Sequence, residues 1–122
     1  MPYELYKVLH IIGVVSVWGG LSAAVLHAVN GGTKQTNPNH KLIAMTHGVG
    51  MFLILLGGFG MLARLGMTDG IPGWIWLKLT IWLVVGALLM VPLRVPKLAK
   101  PMWFALPIIA GLATYIAMTK PF

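Results

Sequence analysis

Polar residues are rare along this chain and fall in clusters. Between the clusters lie four apolar runs, at residues 5–29, 42–63, 72–93 and 102–119. A helix that crosses a bilayer needs about 20 mostly apolar residues, and each run is near that length. The separating stretches NGGTKQTNPNHK, RLGMTDGIPG and RVPKLAKP each hold Gly or Pro and interrupt a helix. Short connections make successive helices antiparallel. The pattern therefore predicts an all-α membrane protein: a single integral membrane domain over residues 1–122, folded as an antiparallel four-helix transmembrane bundle.

Composition supports this reading. Hydrophobic residues make up 58% of the chain and charged residues 9%, against about 25% charged in a soluble domain. Cysteine is absent, which removes disulfides, thiolate metal sites and Cys nucleophiles. The first apolar run is too long for a cleavable signal peptide, and the MPYELYK before it contains an acid. A net charge of +7 in a soluble protein would point to nucleic acid. Here the basic residues stand near the ends of apolar runs, so the expected partner is the lipid bilayer and not nucleic acid. Lys34, Lys41, Arg94, Lys97 and Lys100 lie in the first and third connections, against Lys7, Arg64 and Lys120 with both acids, Glu4 and Asp69, on the other side. The positive-inside rule then puts both termini on the outer, periplasmic side of a bacterial inner membrane. Tyr3, Tyr6, Trp74, Trp76, Trp103 and Phe122 fall near predicted helix ends, as interfacial anchors do.

Helices in lipid pack through small residues. On the first helix Gly13, Ser16, Gly20, Ala24 and His27 share one arc, flanked by His10 and Val17. Ile11, Val15, Trp18, Ser22 and Val25 form the opposite face, expected to meet lipid. The second helix carries a stripe of His47, Gly50, Met51, Ile54, Gly57, Gly58 and Met61. On the third, Lys78 shares a face with Trp74, Ile81, Trp82 and Val85. Lys78 either snorkels to the interface or points into the bundle, where it needs a partner. At about 1.5 Å per residue, His10 and Lys78 sit roughly 10 and 8 Å from the midplane toward the same face. His47 lies toward the other face and His27 near its boundary. His10 and Lys78 can therefore meet if their helices adjoin, and His27 with His47 form a possible second, metal-binding group.

No paired carboxylates and no Ser–His–Asp pattern are present. The intramembrane groups with chemistry are His, Lys, Tyr, Trp and Met. Histidine is a common ligand of haem iron, and small residues such as Gly13 beside His10, with Trp near Lys78, leave room for a flat macrocycle between helices. The plainer alternative for each His is an interhelical hydrogen bond.

LYKVLHIIGVVSVWGGL, GWIWLKLTIWLVV and LPIIAGLATYIAMTKPF, in that order, resemble the first, third and last helices of the HemJ-type protoporphyrinogen oxidase family and related copper-resistance-D-like membrane proteins. The resemblance implies a four-helix membrane protein that binds haem b and oxidises protoporphyrinogen to protoporphyrin. It implies that His10 and Lys78 match the two residues needed for activity and haem binding. His10 would ligate the iron, and Lys78 would be the second ligand or neutralise a propionate. In that reading Gly13, Trp74 and Trp82 are further candidates for contact with the cofactor, with Arg64 and Trp74 near the outer opening. Two other readings stay open. One is a non-enzymatic subunit of a larger respiratory or photosynthetic membrane complex, motivated by the glycine-rich faces. The other is a small transporter or channel, a homo-oligomer with His10, His47 and Met51 along the path.

Overall fold

The computed structural model describes residues 2–66 and 70–120. Helix α1 spans Tyr3–Val29, α2 His40–Arg64, α3 Gly73–Leu88, α4 Met90–Arg94 and α5 Ala99–Thr119, with a 3-10 turn at Pro96–Leu98 before α5. Among the described residues, four stretches are long and apolar enough to cross a membrane: α1, α2, the α3–α4 pair, and the 3-10 turn with α5. No strand occurs among the described residues. The protein is an all-α four-helix bundle. In lipid a helix satisfies its own backbone polar groups, so four long apolar runs settle on this form.

Local chemistry sets the breaks. α1 ends on a Schellman motif: Gly31 takes φ +81°, its N–H donates to the Ala28 carbonyl, and the Gly32 N–H donates to the His27 carbonyl. Gly66, with φ +75°, closes α2 by donating to Ala63. The third span was expected to be one helix, but it breaks at Leu89. Pro92 has no N–H for the Leu88 carbonyl and its ring crowds that group. Pro107 stands inside α5, which continues past it.

α1 is the central helix. It packs against α2 along its length, and against α5 and α4 on another side; α3 touches α5 and α2 and completes the bundle. The core joins Val17, Leu21, Val25 and Ala28 of α1 to Val85 of α3 and to Ala99, Met102 and Leu106 of α5. This corrects the expectation for the far face of α1. Val25 is fully buried, and the Trp18 indole N–H donates to the Leu106 carbonyl at 2.8 Å. α5 covers that part of the face, and only Ile11 and Val15 remain open. Among the anchors, Trp76 and Trp103 are exposed, while Trp74 is buried with the Lys120 ammonium 5.6 Å from its ring centroid. Phe122 and Asp69 lie outside the described residues.

Candidate functional site

The α1–α2 contact fixes where His10 stands. A Cβ built on Gly57 would lie 2.6 Å from both the Tyr6 carbonyl oxygen and the His10 nitrogen. One on Gly13 would lie 2.7 Å from the Gly50 oxygen and the Ile54 nitrogen. Backbone therefore meets backbone at these positions, and only glycine permits it. At this spacing the His10 ring reaches across α2, and Nδ1 lies 2.8 Å from the Ile54 carbonyl oxygen. A carbonyl can only accept, so Nδ1 carries the proton. In the neutral ring Nε2 is then the nitrogen with the free lone pair.

His10 forms part of the wall of a cavity of about 80 Å³ between α1, α2 and α3. Lys78 lines the same cavity, with Ile54, Gly58, Phe59 and Trp82 among its apolar neighbours. Gly58 keeps room beside the imidazole: a Cβ there would sit 3.7 Å from the ring. Trp82 is held by its indole N–H, which donates to the Met51 carbonyl at 3.0 Å. No acid is among the described residues lining the cavity. The Lys78 ammonium therefore has no carboxylate counter-charge there, in a setting where a bare charge is costly.

The remaining candidates lie elsewhere. Gly13 belongs to the α1–α2 contact and does not line the cavity. Trp74 packs under Lys120 at the ends of α3 and α5. His47, 4% exposed, donates from Nε2 to the Val85 carbonyl at 3.3 Å and packs beside Gly20. His27 sits about 10 Å further along α1 by helical rise, where its Nε2 donates to the Thr33 carbonyl at 2.8 Å. The two rings are thus separate braces, and no cluster of three or more metal-ligating side chains occurs among the described residues. Met51 contacts Gly86; of His10, His47 and Met51, only His10 lines the cavity.

A histidine that donates one ring N–H to a backbone carbonyl and keeps the other nitrogen free is the arrangement of a metal-ligating imidazole. The space is smaller than a macrocycle, since sites for drug-sized molecules measure about 300–1,000 Å³. Phe59, 40% exposed, stands in the cavity wall on the α2 side. Sequence reasoning missed Leu55, Phe59, Leu62, Ile75 and Leu79 of the wall. As ordinary apolar residues they carry no signal until the rotation of α3 is known. Comparison with protein families, curated proteins and solved structures found no match.

Proposed function

We propose that this protein is an integral membrane b-type haem protein in which His10 Nε2 is the iron ligand. The observation that carries the reading is the His10–Ile54 hydrogen bond at 2.8 Å, in the wall of a cavity that also contains Lys78. The bond fixes the tautomer and the ring plane before any ligand arrives. Lys78 supplies the positive charge that a propionate needs, and the ligand in turn supplies the counter-charge that the cavity lacks. Trp82, locked to Met51, offers a flat apolar wall. Haem, when bound, supplies one-electron redox chemistry. The resemblance to the HemJ-type family supports, as the reaction, the six-electron oxidation of protoporphyrinogen to protoporphyrin, with the electrons passing to an external acceptor. We place both termini on the periplasmic side of a bacterial inner membrane, from the five basic residues of the first and third connections. A partner subunit is not needed to explain the glycine stripes, because α1 and α2 spend them on each other.

The test is the absorption spectrum, oxidised and reduced, of protein purified after haem-replete expression. A Soret band that is lost in His10→Ala and weakened in Lys78→Ala is expected. No Soret band in the wild type, or full spectra in both variants, would sink the proposal.

A further inference from the structure

The end of the bundle that carries the first and third connections contains a second, larger cleft of about 490 Å³. Its lining mixes the cationic or titratable side chains of Lys34, His40 and Arg94 with the apolar ones of Ala44, Leu89 and Leu93. The sequence explains why the space exists. After the Schellman turn at Gly31 the connection folds on itself, with the Thr33 N–H donating to the Thr36 hydroxyl at 2.8 Å and His27 donating to the Thr33 carbonyl. Across from it the third span breaks at Leu89, ahead of Pro92. Two irregular segments diverge there and leave a cleft at the end of the apolar spans.

Charge at this end is one-sided. Lys34, Lys41, Arg94, Lys97 and Lys100 gather here, and Glu4, the one acid among the described residues, stands at the opposite end of α1. A cleft lined by both cationic and aliphatic side chains, at the end of the apolar spans, fits a molecule with an anionic head and an apolar tail.

We propose that this cleft binds the headgroup of an anionic phospholipid. Lys34 and Arg94 hold the phosphate, Arg94 through the forked donors that match phosphate oxygens. Ala44, Leu89 and Leu93 lie along the first part of an acyl chain. The cationic and the aliphatic lining are both needed, which separates a lipid from a free phosphate. The assignment does not depend on the haem reading.

The experiment uses the full chain in mild detergent, mixed with equal amounts of phosphatidylglycerol and phosphatidylcholine, with retained lipid counted by native mass spectrometry. Preferential retention of phosphatidylglycerol is expected. The double variant K34Q/R94Q should retain it roughly tenfold less, as the loss of two charge-assisted contacts implies. K97Q/K100Q, with the same charge change outside the cleft lining, should change retention by less than about twofold. If the double variant does not fold, K34Q alone, on the exposed connection, should still lose about threefold. Equal retention of the two lipids, or equal losses in the two double variants, overturns the proposal. Displacement of the lipid by inorganic phosphate at matched concentration overturns it in favour of a free-anion site.

Discussion

Gly57→Ala tests the contact that positions His10. Its Cβ would meet the His10 nitrogen and the Tyr6 carbonyl oxygen at 2.6 Å and the His10 Cβ at 2.7 Å. None of these is the flexible end of a side chain, so the helices themselves must part by close to 1 Å to reach ordinary van der Waals distance. Overpacking of this kind costs about 1–3 kcal/mol. Part of it is offset by the higher helix propensity of alanine, about 1 kcal/mol at most. Gly48→Ala is the internal control, because a Cβ there meets nothing within 4 Å, and it gains the same propensity without the clash. The difference between the two variants therefore isolates the packing term. Unfolding in mixed micelles with increasing denaturing detergent measures it. Gly57→Ala should be less stable than Gly48→Ala by about 1–3 kcal/mol. It should also stretch the bond from His10 to the Ile54 carbonyl and weaken any spectrum that depends on His10. Equal stability of the two alanine variants would refute the close α1–α2 contact, and with it the placement of the site.

Gly31→Ala forces a Cβ into φ +81°, so it should destabilise the end of α1 by about 1 kcal/mol, read by the same titration. Trp18→Phe keeps the ring but loses the bond to the Leu106 carbonyl. A loss of about 0.6 kcal/mol, up to about 1.7, is expected; no loss would remove the link from α1 to α5. His47→Ala empties a buried position and should lower stability while leaving any haem spectrum unchanged, because His47 is outside the cavity.

The four spans are legible in the sequence because the apolar length needed to cross a bilayer is a one-dimensional property. The glycine stripes were also legible, since close helix contact excludes larger side chains whatever the rest of the fold does. Which face of a central helix meets lipid is not written the same way. A helical wheel sorts α1 into faces but does not say how many neighbours it has, so Trp18 and Val25 were placed in lipid when α5 covers them. The break at Leu89 had its cause, Pro92, in plain view, but membrane helices also run through proline, as α5 does at Pro107. Depth along the helices was enough to pair His10 with Lys78, because rise per residue is constant. Depth says nothing about rotation about the helix axis, so the sequence does not tell that Trp74 and Gly13 stand outside the cavity lined by His10 and Lys78.

The central claim is that His10 Nε2 is an iron ligand, and chemical rescue tests it most directly. His10→Gly leaves an imidazole-sized space beside Gly58, and free imidazole can enter it as a replacement ligand. The account predicts that the purified variant lacks the b-type spectrum and regains it when imidazole is added, whereas His47→Gly keeps it throughout. A full spectrum in His10→Gly without imidazole, or its loss in His47→Gly instead, would contradict the account.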